Sequence, residues 1–470
     1  MRSRFVSPMA RHHLSRREVL RAGGLGVAGL SLVDLLHGAT SAHAATAAVA
    51  APVGRARSCI VLFLMGGPPQ HSTWDLKPNA PAEVRGEFAP IETTVPGMQI
   101  GELLPKTARL AEHLCLLRAV RTGDNAHSSS GYYMMTGVPH QPMNAENANP
   151  GAPNNWPNLG AVVRHLHGAE ASLPAAVRLP HHIFNTDGST WPGQDAGFLG
   201  APRDPWMFRC QPASSDFQIP EFTLPSSLTL SRIEQRRELL GRLDRLSRDL
   251  ERLAGVPGGY DGATRQAFDL LTSSDSRAAF KLDDEPAESR DRYGRSQFGQ
   301  SVLLARRLVE AGVRLVQVNW YRDKSEPADA PCWDSHVGEA NRLRTALVPP
   351  FDQAFSALLE DLVARNLLDE TLVVCLSEFG RSPKINAAGG RDHWGSVFSI
   401  ALAGGGTRGG MIHGASDALG GEPREGTVLP GDLLATIFTS LGLSPATVLH
   451  DPLGRPFPIA RGEPIREILA

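Results

Sequence analysis

Residues Cys59-Ile60-Val61-Leu62-Phe63-Leu64-Met65 form an unbroken apolar run that stops at Gly66-Gly67. A run without polar alternation is buried on both faces, as a strand of a parallel sheet covered by helices is. Thr371 to Ser377 repeats the pattern. Val313–Asn319 and Val397–Ala403 predict a third and a fourth strand. Helical periodicity alternates with these runs. Phe351, Phe355, Leu358, Leu359, Leu362 and Val363 share one helical face. Asp432 predicts the N-cap of a helix through Leu433, Leu434, Ile437, Phe438 and Leu441, closed by Gly442. The expected fold is therefore α/β, with a mostly parallel sheet flanked by helices.

Residues 138 to about 228 break this rhythm, being rich in Pro, Asn and Gly. Leu239, Leu243, Leu246, Leu250 and Leu253 then repeat among charges and predict a surface helix or helical hairpin packed by one stripe. Residues 138–300 are expected to be an insertion or cap on a single domain spanning 45–470. Residues 1–44 read as a signal peptide. Ser15-Arg16-Arg17-Glu18-Val19-Leu20 fits the twin-arginine pattern, a Gly/Ala-rich apolar stretch follows, and Ala42-His43-Ala44 offers a cleavage site. The expected partner there is the twin-arginine export machinery, and the expected location is the periplasm or cell surface of a bacterium.

Net charge is -2, and removing residues 1–44 leaves 41 basic against 47 acidic residues, near -6. That balance argues against a nucleic-acid partner. No apolar run reaches the ~18 residues of a membrane span. Five cysteines are too few, and odd in number, for a disulfide scaffold. Gly404-Gly405-Gly406 lacks the spacing and lysine of a phosphate-cradling loop, so no nucleotide is expected.

Ligands in open parallel sheets bind beyond the carboxyl ends of the strands. Here those ends carry His71 and Asp75, then Asp334 and His336, then Glu378, with Asp392 and His393 one loop later. A lone Asp-x-His is commonly a loop hydrogen bond. Several carboxylate–imidazole groups after successive strands are what a divalent metal needs, and these donors suit Zn, Mn, Mg or Ca. Gly123 to Gly137 adds His127 and a triple serine, Ser128-Ser129-Ser130, before an apolar helical stretch. A serine there is either a plain N-cap or part of an anion site at a helix start.

Together these segments resemble the domain of unknown function 1501 family, within the alkaline phosphatase-like (sulfatase-like) superfamily. The motifs are Gly66-Gly67-Pro68-Pro69-Gln70-His71, Trp74-Asp75-Leu76-Lys77-Pro78, His127-Ser128 with Tyr132-Tyr133-Met134-Met135-Thr136-Gly137, Ala305 to Val313, Trp333-Asp334-Ser335-His336, Ser377-Glu378-Phe379-Gly380-Arg381-Ser382-Pro383 and Gly390-Arg391-Asp392-His393-Trp394. The resemblance implies a nucleophile eight or nine residues before Thr136-Gly137, namely Ser128 or His127. It implies metal ligands at Glu378, His393, Asp392, Asp334 and His336, with His71 and Asp75 standing where an acid usually ends the first strand. Phe379 occupies a usual histidine position. Ser128-Ser129-Ser130 lacks the Pro and Arg that accompany formylglycine formation, which sets this chain apart from standard sulfatases. The expected function is an exported metal-dependent hydrolase of a small phosphate or sulfate ester, with Ser128 attacking and Arg381 or Arg391 stabilising charge. The alternative is a metal-containing binding or assembly protein without turnover.

Overall fold

The computed structural model describes residues 54–470 except 168–172, 186, 216, 218–230, 233–234, 237, 240–272 and 321–331. The signal-peptide segment 1–44 and most of the Leu239–Leu253 stripe lie outside the described residues. Eight strands form one sheet: β1 Ser58–Phe63, β2 Leu114–Val120, β3 Ala176–Leu179, β4 Trp206–Met207, β5 Leu315–Asn319, β6 Thr371–Leu376, β7 Phe398–Ala403 and β8 Met411–His413. Their spatial order is β8-β2-β7-β6-β1-β5-β3-β4. β1 lies near the middle, with Cys59 opposite Leu315 of β5 and Leu372 of β6, both parallel. Every residue of β1, β5 and β6 is buried; the apolar runs of β1 and β6 require this, while β5 also buries Gln317 and Asn319, which are hydrogen-bonded to each other.

β7 alone in this sheet runs antiparallel, pairing with β6 on one side and β2 on the other. Its amino end therefore arrives at the edge where the parallel strands have their carboxyl ends. Helices flank the sheet, among them α1 His127–Thr136, α2 Gln297–Glu310, α3 Val348–Ala364 and α4 Pro430–Ser440.

The expected elements hold with local shifts. Along α3, Phe351, Phe355, Leu358, Leu359 and Leu362 are buried, but Val363 is 40% exposed. α4 starts at Pro430, so Asp432 is its third residue and not its N-cap. The Asp432 carboxylate still serves the helix start, accepting the Leu429 N–H at 3.1 Å. Gly442 follows the helix in the left-handed region, φ 77°, as a C-terminal glycine does. The segment 138–300 contributes β3 and β4 to the sheet beyond β5, so this part of it continues the core.

Candidate metal centre

The carboxyl-end edge of the sheet gathers five loops. Gly66 follows β1 with φ 112°, and a Cβ there would lie 2.3 Å from the Asp334 nitrogen. Only glycine permits that approach. The Gly66 N–H donates to Glu378 Oε1 at 2.9 Å, locking the ends of β1 and β6 together. Asn125 to His127 lead from β2 into α1. Asp334 and His336 follow Trp333, whose backbone N–H bonds the Met65 carbonyl. His393 precedes β7 in a two-stranded ribbon, where it pairs with Arg381.

Three histidines converge on one carboxylate. His127 Nε2 lies 3.1 Å from Asp334 Oδ2. His336 Nε2 and His393 Nε2 each lie 3.1 Å from Asp334 Oδ1. The two Nε2 atoms of His336 and His393 are 2.9 Å apart. Each ring is held through its other nitrogen. His127 Nδ1 contacts Glu378 Oε1 at 2.7 Å, His336 Nδ1 contacts Asp392 Oδ1 at 3.3 Å, and His393 Nδ1 contacts the Asn125 carbonyl at 2.7 Å. Outer acceptors on Nδ1 that leave Nε2 pointing inward are the usual support of metal-binding histidines.

His393 makes the strongest case. A carbonyl can only accept, so the ring proton sits on Nδ1 toward Asn125, and Nε2 presents a lone pair. Asp334 Oδ1 opposite it is also an acceptor. Two lone pairs 3.1 Å apart repel unless a cation lies between them. Burial pushes the His393 pKa down to about 4, with His127 and Arg381 adding to the effect, so a proton is not the favoured cation near neutral pH. Burial also disfavours charge on His127, but Asp334 and Glu378 outweigh it and lift that pKa to about 10. A metal and a proton would thus compete for His127 Nε2. Burial opposes the Asp334 charge too, yet Arg381, His127 and His336 hold its carboxyl far below the usual carboxylate range. Asp334, His336 and His393, and separately His127, Glu146 and His393, place ligand atoms within 4.8 Å of one another and could hold a metal ion. Imidazole and carboxylate donors fit the group.

The other expected residues take different places. Glu378 and Asp392 stand behind histidines, each on an Nδ1, and not at the convergence point. His71 is buried, with Nε2 2.8 Å from the Leu419 carbonyl. Asp75 is bound by Lys77 at 2.9 Å and by Ser416, in a knot away from the centre. Ser128 is buried and its hydroxyl donates to the Ala145 carbonyl at 2.9 Å while accepting the Ala148 N–H at 3.0 Å. It is not presented as a nucleophile. The N-cap of α1 is Ala126, not a serine.

Both arginines are committed to structure. Arg381 is fully buried and donates to the carbonyls of Gly66, Gly67, Trp333 and Arg391 and, at 2.5 Å, to Asp334. It clamps Asp334. Arg391 pairs with Glu339 at 3.0 Å and donates to the Val84, Ser382 and Pro383 carbonyls, none of which belongs to the centre. Three contributors were not singled out in the sequence: Asn125, Glu146 and Trp191. Phe379 stacks on His393 at 4.4 Å and lies 4.9 Å from His127, so the residue that cannot ligate walls the site. The Trp191 ring lies 5.8 Å from that of His127.

The family model described as "Protein of unknown function (DUF1501)" matches residues 56–469. No curated protein matches the chain. Among solved structures, the phosphonate monoester hydrolase of Agrobacterium radiobacter is 13% identical with TM-score 0.40, over 88% of this chain and 77% of that one. A sulfatase from Pseudoalteromonas sp. is 13% identical with TM-score 0.35, over 82% and 68%. A protein in the alkaline phosphatase superfamily from Vibrio parahaemolyticus is 9% identical with TM-score 0.37, over 84% and 68%. Likeness of this degree carries no inference about chemistry.

Proposed function

Since the chain belongs to the DUF1501 family, of unknown function, we propose its activity from its own residues: an exported, metal-dependent hydrolase of phosphate or sulfate esters. Asp334, His127, His336 and His393 would hold the metal. The carrying observation is the lone pair of His393 Nε2 facing Asp334 Oδ1 at 3.1 Å. Three imidazoles and a carboxylate suit Zn, Mn or a neighbouring transition ion better than Ca or Mg, which prefer oxygen. When bound, such an ion supplies Lewis acidity toward an ester oxygen and acidifies water.

The protein's own groups prepare that place. Arg381 fixes Asp334 and neutralises part of its charge. Glu378, Asp392 and the Asn125 carbonyl set the three imidazole rings. Phe379 keeps water from one face of His393. Side-chain exposures of 14–32% for Asp334, His127, His393 and His336 leave the group reachable by a small ester. With the Ser128 hydroxyl committed to loop backbone, attack falls to water.

The test is metal analysis of the purified full chain, with turnover of an aryl phosphate and an aryl sulfate. Bound transition metal and turnover are expected, both lost in His393→Ala. One observation favours the second reading, a metal-containing binding protein: Arg381 and Arg391 direct their donors at structural acceptors and leave none aimed at a substrate anion. Metal without turnover of either ester would select that reading. Absence of metal would sink both.

Export rests on Arg16-Arg17 and Ala42-His43-Ala44. No helix among the described residues is long and apolar enough to cross a membrane. Changing Arg16 and Arg17 to lysine together should hold the full-length precursor in the cytosol. Normal processing of that variant after Ala44 would reject the twin-arginine route.

A further inference from the structure

The loop 144–148 is tied to the head of α1 by five hydrogen bonds, all to the residues around the ligand His127. Asn125 N–H donates to Asn144 Oδ1 at 2.8 Å, and His127 N–H donates to Glu146 Oε1 at 2.8 Å. The Ser128 hydroxyl donates to the Ala145 carbonyl at 2.9 Å and accepts the Ala148 N–H at 3.0 Å. The Ser129 hydroxyl accepts the Ala145 N–H at 3.0 Å. Asn144 and Asn147 flank Glu146 at φ 55° and 51°, the left-handed region that asparagine tolerates better than most residues. These turns shape the loop that brings the Glu146 carboxylate to the His127 N–H.

That carboxylate touches the centre from outside. Its Oε1 holds the backbone of His127 and lies 3.9 Å from His393 Nδ1. Asn125 couples the two sides again, because its carbonyl orients His393 while its N–H binds the loop through Asn144. Its side-chain oxygen accepts the Gly395 N–H at 2.6 Å, two residues past His393. The loop, His127 and His393 thus share one hydrogen-bonded segment, Asn125–Ser129.

We propose that Glu146 is a positioning residue of the metal centre, presetting His127 and His393 through this strap, with Ser128 and Ser129 as its anchors. The serine pair then serves the centre by fixing the loop that fixes the ligands. The inference rests on the metal centre proposed above.

Outer groups that orient metal-binding histidines commonly contribute about 10–100-fold to metal affinity. Zn2+ affinity of the full chain, by competition with a chelating indicator, should fall in that range for Glu146→Ala. Glu146→Gln keeps an oxygen for the His127 N–H and should recover most of the loss. Ser128→Ala should fall between them. The visible spectrum of the Co2+-loaded protein should change in Glu146→Ala, since it reports ligand geometry and not overall folding. Coupling is reciprocal, so Zn2+ should slow hydrogen exchange at the Ala145 and Ala148 amides. His393→Ala is the control for the centre itself. If it abolishes Zn2+ binding while Glu146→Ala binds within about twofold of the parent with an unaltered Co2+ spectrum, a small fraction of the usual orienting effect, the strap role is overturned and the centre stands. If His393→Ala binds Zn2+ as the parent does, the centre itself is wrong and the strap role falls with it.

Discussion

Replacing Asp334 by alanine should remove bound metal and lower stability together. Its two oxygens face all three inward histidine nitrogens, an arrangement that no other described carboxylate shares. Its Oδ1 also accepts from Arg381, which is fully buried. Removing one partner of a buried ion pair costs about 3–5 kcal/mol, because the other charge stays desolvated. Four carbonyls continue to serve the guanidinium, which places the expected loss at the lower end. Asp334→Asn separates the two effects. It keeps an oxygen for Arg381 but not the charge, so metal should be lost with a smaller drop in melting temperature. A melt of metal-free parent and variants, beside metal analysis of each, reads both terms. Stoichiometric metal in Asp334→Ala would refute its place in the centre.

Arg381→Met should be the more damaging of the two for the fold. Methionine fills much of the volume but donates nothing. It would leave the carbonyls of Gly66, Gly67, Trp333 and Arg391 short of a donor and Asp334 without its cation. Each buried acceptor deprived of a partner costs about 1–3 kcal/mol, and the stranded carboxylate adds to this. A loss above about 4 kcal/mol, or failure to accumulate folded protein, follows from those terms. Lysine should not rescue, since its compact ammonium cannot span acceptors from three chain segments as the guanidinium fork does. The comparison belongs in metal-free buffer, so that ligand loss is not read as instability. An unfolding midpoint equal to the parent's would show that these bonds contribute little.

Apolar runs made β1 and β6 visible, because a strand buried on both faces favours an unbroken apolar composition. Strand ends then pointed to Asp334, His336 and His393. Roles within the site were less visible. Whether Glu378 or Asp392 ligates a metal or stands behind a histidine depends on which ring nitrogen it faces, a matter of a few ångströms that residue type does not encode. The commitment of Arg381 to carbonyls from residues 66, 67, 333 and 391 has no sequence signature, since backbone oxygens look alike in every residue. His71 finds its partner at Leu419, 348 positions away. Glu146 sits in an irregular stretch without periodicity, and its contact with the His127 N–H depends on a loop fold that no sequence pattern marks. The segment 138–300 read as an addition because its two sheet strands are four and two residues long, too short to show a pattern.

The position of β1 also sets a timetable for synthesis. It is the first of the described strands to be made, yet its neighbours are β5 and β6, with Cys59 opposite Leu315 and Leu372. More than 250 residues must follow before the first of these partners exists. At ~5–20 residues per second, β1 waits roughly 15–60 s for the second to be completed. During that interval an apolar hexapeptide with unmatched backbone groups is exposed to other chains, a known route to aggregation. Shielding of this run early in translation is therefore expected to favour correct folding, and His127, His336 and His393 cannot meet until most of the chain has been made.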